Sequence, residues 1–155
     1  MNEVFYSEGL HFHCKQCSHC CRHEPGYVYL SQTDLSNLCV CLDMNAEDFI
    51  QAYCRIVPYY NGTDVLALQE KPNYDCIFWD KTCTVYNVRP VQCITYPFWS
   101  FVLKDNESWQ QESKHCPGIN CGTLFTKEKI QDALHRYTAN VPITMPADLL
   151  GGFTT

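Results

Sequence analysis

Cys14-Lys15-Gln16-Cys17-Ser18-His19-Cys20-Cys21 places four sulfurs in eight residues, with His11, His13 and His23 on its flanks. Thiolates packed this closely repel one another unless they are protonated, oxidised in pairs or neutralised by a metal, and three-residue spacings suit the metal best. A chain built round such a run takes its fold from the centre that the sulfurs hold. The remaining cysteines are therefore read first as further ligands, and the apolar segments as the shell around them.

Outward from that run, the 155 residues are enough for one domain with a modest core. Twelve cysteines exceed what core packing uses, and chains so rich in sulfur are disulfide scaffolds or metal proteins. Compartment decides between the two. Met1-Asn2-Glu3-Val4-Phe5-Tyr6-Ser7-Glu8-Gly9 has no basic start, apolar run or small-residue cleavage site, which points to reduced thiols in the cytoplasm. No run approaches the roughly 18 apolar residues of a membrane span, so a soluble protein without a membrane partner is expected. A formal charge of −6 and four scattered arginines, Arg22, Arg55, Arg89 and Arg136, argue against nucleic acid as a partner. A four-thiolate site round Zn²⁺ or a [4Fe-4S]²⁺ core carries about two negative charges. Arg22, beside the run, is either its counter-ion or a solvated surface arginine.

The pattern along the chain predicts a small, irregular α+β fold with short hairpins and three to four helices. His11-Phe12-His13 alternates like a strand, His23-Glu24-Pro25-Gly26 is a turn, and Tyr27 to Leu30 reads as a short strand. Ser31-Gln32-Thr33-Asp34 opens a helix to about Cys39, with Leu35, Leu38 and Leu42 on its buried face. Asn45 caps a second helix, Ala46 to about Ile56, that Pro58 ends. A strand over Val65 to Gln69 follows the Asn61-Gly62 turn, and residues 74 to 86 read as a hairpin bringing Cys76 near Cys83. Arg89-Pro90 starts a helical turn holding Cys93, and Tyr96-Pro97-Phe98-Trp99 ends it. Phe101 to Leu103 and Trp109 to Glu112 are expected to pair as another hairpin, and Thr126 to cap a last helix reaching about Tyr137. Residues 1–141 are read as a single domain and 142–155 as a loosely held tail.

Cys14-x-x-Cys17-x-x-Cys20 is the spacing by which one loop gives three thiolates to a cubane iron–sulfur cluster, and Cys116-Pro117 offers a fourth ligand of ferredoxin type. Zinc accepts Cys-x-x-Cys knuckles as readily, with Cys76 and Cys83 or Cys93 completing a tetrahedron. Cys20 and Cys21 diverge in an extended backbone, so Cys21 serves a second metal or the far side of a larger cluster. Cys39 and Cys54 lie on apolar faces and are expected as core; Cys41 and Cys121 are ambiguous. His11, His13, His19 and His115 are secondary ligand candidates, since the thiolates already suffice, and His135 is expected at the surface. Tyr96, Phe98, Trp99 and Phe78 are expected to form a dry shell round the centre rather than a stacking platform. No G-x-G-x-x-G turn, phosphate loop or H-E-x-x-H helix is present. Nor is there a C-x-x-x-C-x-x-C radical motif: Cys17 and Cys21 have its first spacing, but Glu24 stands where the third cysteine belongs.

Taken together, the C-x-x-C-x-x-C-C run followed by Arg22, then Asp75-Cys76-Ile77-Phe78, Cys83-Thr84-Val85-Tyr86, Arg89-Pro90-x-x-Cys93-x-x-Tyr96-Pro97-Phe98 and Cys116-Pro117-Gly118, resemble the YkgJ-like cysteine-cluster family, a zinc- or iron-chelating domain. The likeness covers about residues 12 to 120. It implies an eight-cysteine metal set, here Cys14, Cys17, Cys20, Cys21, Cys76, Cys83, Cys93 and Cys116. One branch, the flagellin lysine N-methylases, carries such a domain in a larger chain with an iron–sulfur cluster implicated in methyl transfer. The ferredoxin-like run and Cys116-Pro117 put an iron–sulfur centre, [4Fe-4S], ahead of Zn²⁺. The resemblance also implies metal ions, and a protein substrate or partner, as ligands. Redox or methyl-transfer chemistry is set against a non-enzymatic zinc-stapled or metal-carrier module.

Overall fold

The computed structural model describes residues 3–14, 27–59 and 62–144. In chain order its elements are β1 (Leu10–Phe12), α1 (Gln32–Leu42), α2 (Ala46–Tyr53), β2 (Cys54–Pro58), β3 (Asp64–Leu68), β4 (Trp79–Asp80), β5 (Thr82–Cys83), a 3-10 turn at Tyr86–Val88, α3 (Val91–Thr95), α4 (Asn106–Ser113), β6 (Thr123–Phe125) and α5 (Lys127–Ala139). This is the expected small α+β class, with three two-stranded antiparallel sheets and five α-helices among the described residues. The chain divides into two compact units, one made of Met1–Cys20 and Thr95–Ala139, the other of Cys21–Ile94 and Asn140–Thr155.

In the second of these, α1 starts where the sequence says it should. The Ser31 hydroxyl accepts from the Asp34 N–H and the Asp34 carboxylate accepts from the Ser31 N–H, each at 3.1 Å, which satisfies two donors that the helix end would otherwise leave unmet. Asn45 caps α2 in the same manner, accepting from the Asp48 N–H at 2.8 Å. That helix stops at Tyr53, not at Ile56. Cys54-Arg55-Ile56-Val57-Pro58 instead forms β2, paired with β3 from Cys54↔Leu68 to Pro58↔Asp64. The β-branched pair Ile56-Val57 favours the pleated backbone, and Pro58 has no N–H to continue a helix. The tail is also better held than expected as far as residue 144. The Ile143 N–H donates to the Leu30 carbonyl at 2.9 Å, its carbonyl accepts from the Leu66 N–H at 3.0 Å, and Thr144 bridges Val65; residues 145–155 lie outside the described residues. Leu30, Leu35, Leu38, Phe49, Leu66 and Phe78 lie in the core of this unit.

The other unit is built on β1 and β6, which pair from Leu10↔Phe125 to Phe12↔Thr123. Its core includes Tyr6, Phe98, Val102, Trp109, Ile119 and Ile130, with the Phe98 and Trp109 rings stacked at 6.0 Å and 5°. The hairpin expected across 101–112 is absent: Phe101 to Leu103 lie in turns, and Trp109 sits in α4. Asp105 accounts for the difference, because its carboxylate accepts from the Ser108 N–H at 2.7 Å and starts a helix in a stretch rich in Glu and Gln. α5 follows Thr126, whose hydroxyl accepts from the Lys129 N–H at 3.3 Å.

Candidate metal centre

Two places in the fold carry the proposed ligands, one in each unit. In the first, the loop after α4 is laid along the strand that leads into the cysteine run. Ile119 bridges Phe12, the Asn120 N–H donates to the His11 carbonyl at 2.9 Å, and the His13 N–H donates to the Gly118 carbonyl at 3.1 Å. Cys14 is the next residue after His13, so the Cys116-Pro117-Gly118 turn shares a ladder with the entry to the run. The approach is close enough to fix residue type. A Cβ on Gly118 would stand 2.0 Å from the His13 carbonyl oxygen and 2.9 Å from its carbon, so only glycine fits there. Cys116 is buried, with its N–H on the Glu112 carbonyl at 3.1 Å, whereas Cys14 is exposed. His11 turns Nδ1 to the Gly122 carbonyl at 2.9 Å, which makes that nitrogen the protonated one.

In the second place, Cys76 and Cys83 belong to one tight knuckle. The Cys76 carbonyl accepts from the Trp79 N–H at 2.9 Å, Trp79 faces Cys83 across β4 and β5, and Lys81 takes the left-handed φ of 64° that turns the chain between them. The Phe78 carbonyl accepts from both the N–H and the hydroxyl of Thr84, at 2.8 and 2.7 Å. Both cysteines are half-buried and pack on the core of their unit. Cys93 sits in the single turn of α3, its N–H on the Pro90 carbonyl at 2.9 Å; the helix begins at Val91, one residue past the expected proline. Arg89 works as a clamp, donating from Nε to the Tyr86 carbonyl at 3.0 Å with its guanidinium 3.8 Å over the Tyr86 ring.

Cys14, Cys39, Cys41, Cys54 and Cys121 are free thiols. Cys54 is core, as expected, but on β2 instead of a helix, and burial together with the neighbouring Cys39 sulfur pushes its thiol up to about 12. Cys39 is also raised by burial. Cys41 is exposed. Phe78 lies in the core of one unit and Phe98 in the core of the other; Tyr96 and Trp99 pack at the edge of the Phe98 core. Among the described residues no group of three or more His, Cys, Asp and Glu side chains converges as a metal site. Cys17, Cys20 and Cys21 lie outside those residues, as do Arg22, His19 and His23. The donor chemistry fits the metals in question. Cys14, Cys76, Cys83, Cys93 and Cys116 are all sulfur donors, which suit zinc and iron, and Gly118 makes a cradle that draws the Cys116 turn against the start of the run.

Residues 13–117 match the model of the CxxCxxCC family, described as a "Putative zinc- or iron-chelating domain". The chain belongs to this family. It is a metal-binding cysteine-cluster domain of the zinc or iron kind. An uncharacterized protein of Methanocaldococcus jannaschii is 27% identical over 96 residues, which is 60% of this chain and 48% of that protein. The chain thus spans about half the length of that relative. No solved structure matches it. Among the described residues, no helix is long and apolar enough to cross a membrane. What sequence reasoning missed is the Phe12 to Ile119 bridge that brings Cys116-Pro117-Gly118 to His13. The steric need for glycine at 118 is its trace in the sequence.

Proposed function

We propose that Cys14, Cys17, Cys20, Cys21, Cys76, Cys83, Cys93 and Cys116 hold the metal, and that it is an iron–sulfur centre. The observation that carries this reading is the His13 N–H to Gly118 carbonyl bond. It supports Cys116 as the ligand that follows the three-thiolate run, the arrangement in which a ferredoxin-type loop closes a cubane. The thiols outside the proposed ligand set, Cys39, Cys41, Cys54 and Cys121, support a reducing compartment, hence the cytoplasm. Such a centre, when bound, supplies a one-electron couple. The chain's part is to fix the thiolates, exclude water with Cys116 buried, and leave the exposed side of Cys14 open to a partner. Redox or methyl-transfer chemistry on a protein side chain rests on the family resemblance, with metal ions and that protein as partners.

A second reading has its own observation. The Cys76 to Cys83 knuckle, closed by Lys81, is how zinc staples pair two thiolates on a short hairpin, which supports a non-enzymatic zinc-binding module. Anaerobic purification followed by metal, sulfide and visible-absorption analysis separates the two. Iron with acid-labile sulfide and a broad band near about 400 nm supports the first, and a colourless protein with stoichiometric zinc supports the second. Equilibrium dialysis with S-adenosylmethionine then tests methyl transfer: no binding to the iron-loaded protein removes that chemistry.

A further inference from the structure

Asp34 is 2% exposed and, among the described residues, its carboxylate has no salt-bridge partner. Three N–H groups surround it instead. One oxygen accepts from the Ser31 N–H at 3.1 Å and the Asn140 side-chain amide at 2.9 Å, and the other accepts from the Val91 N–H at 3.0 Å. The last of these is not needed to cap α1, which Ser31 and Asp34 already accomplish between themselves. It reaches 57 positions along the chain to the first residue of α3. Beside it, Gln92 behaves like a peptide group added to the segment before α1: its Oε1 accepts from the Tyr29 N–H at 3.0 Å and its Nε2 donates to the Tyr27 carbonyl at 2.8 Å. The residue after this double latch is Cys93.

We infer that Asp34 and Gln92 are positioning residues for Cys93 as a metal ligand, an inference resting on the metal-centre reading above. Three hydrogen bonds at residues 91 and 92 fix the first half-turn of α3 against residues 27–34. α3 is a single turn, too short to hold its own shape by helical bonds, so its orientation has to come from outside. A buried carboxylate receiving N–H donors is strong enough for this, because a charged acceptor in a low-dielectric setting forms the stronger kind of hydrogen bond. Segment 27–34 also follows the cysteine run in sequence, six residues after Cys21. The latch therefore ties the chain leaving the run to the turn that presents Cys93. Neither Asp34 nor Gln92 belongs to the cysteine pattern itself, and their effect on the metal is through Cys93 alone.

The test is metal release from the full-length protein, purified anaerobically with its native metal, into an excess of a colorimetric iron or zinc chelator. Gln92→Met keeps the volume and removes both latch bonds, and Asp34→Asn turns an amide donor toward donors. Ser31→Ala removes the hydroxyl that accepts from the Asp34 N–H, Asn140→Ala removes an amide donor to the Asp34 carboxylate, and both leave the Val91 bond in place. The expected result is release about ten-fold faster or more in Gln92→Met and Asp34→Asn, the range for losing a group that orients a ligand, with Ser31→Ala and Asn140→Ala near wild type. Gln92→Glu, which still accepts from Tyr29, should recover part of the loss. If Gln92→Met, with an unfolding midpoint like that of Ser31→Ala, releases metal at the wild-type rate, the positioning role is wrong while the metal centre stands. If all four variants speed release in proportion to lost stability, Asp34 is a fold residue only. A wild-type protein that comes off the column without metal overturns both the centre and this inference.

Discussion

At the scale of single residues, the motif glycine is the most constrained position. With His13 carbonyl oxygen 2.0 Å from where a Cβ would be, Gly118→Ala forces the 116–121 loop off β1 or distorts both backbones. Neither obstacle is a flexible side-chain tip that swings away. The expected cost is about 3 kcal/mol, at the upper end for overpacking, read as a lower urea midpoint. Metal content should fall with it, since the displaced turn carries Cys116. Cys54 makes a second prediction of different kind. Its thiol is pushed up to about 12 in the fold, against 9.0 for an ordinary thiol, first by burial and then by the Cys39 sulfur. The folded state thus holds a proton that the unfolded chain loses above 9.0. This contribution is full below 9.0 and drains away as pH rises toward 12. Cys54→Ala should flatten the alkaline limb of a stability-against-pH curve measured from pH 8 to 11. In the same range iodoacetamide should label Cys41, which is exposed, well before Cys54.

Elements differ in how far local sequence determines them. α1, α2 and α5 are legible because each begins with a side-chain cap and continues with apolar residues at helical spacing, signals confined to a dozen neighbours. The pairings are not legible. β1 and β6 are three residues each and lie more than a hundred apart, so neither shows enough alternation to betray a partner. β2 was hidden by the apolar line Phe49, Ile50, Tyr53 and Cys54, which continues smoothly out of α2; the β-branched residues before Pro58 carried the contrary signal. The knuckle holding Cys76 and Cys83 was visible, because a turn between two apolar runs is a short-range feature. α4 shows local evidence outvoted by a false pattern, since Asp105 is a proper cap while Phe101 to Leu103 and Trp109 mimic two strands. Its carboxyl is held below the ordinary 3.8 by the Ser108 N–H, so the cap is charged throughout the neutral range. That help fades only when acid brings the pH down through the lowered value. At neutral pH, Asp105→Ala should fray the first turn of α4, seen as faster amide exchange at Ser108 and Trp109. Asp105→Asn should leave exchange near wild type, because asparagine caps as well.

On the scale of the whole molecule, the question is what the apolar cores and the metal each contribute. The two larger of the three apolar clusters among the described residues each include or border a proposed ligand: Cys116 lies inside one, while Cys76 and Cys83 pack on the other. Ligand loss therefore removes packing along with coordination. Domains of ordinary size are stable by about 5–15 kcal/mol in total, while a structural zinc bound by thiolates contributes about 10–16 kcal/mol of apparent binding free energy near neutral pH. The second figure is as large as the first, so a centre of that kind is enough to supply the whole net stability of an ordinary domain. Stripping the metal with a chelator, in reductant and without oxygen, should collapse the near-ultraviolet circular dichroism of Trp99, Trp109 and their stacked partners Tyr137 and Phe98. Adding back the metal should restore it with a stoichiometry that counts the centres. Reductant has to be present throughout, since the thiols that the metal releases would otherwise pair and hide the outcome. A stripped protein that keeps its aromatic signal and its urea midpoint would mean that the cores suffice, and that the cysteines carry the metal as cargo instead of depending on it for the fold.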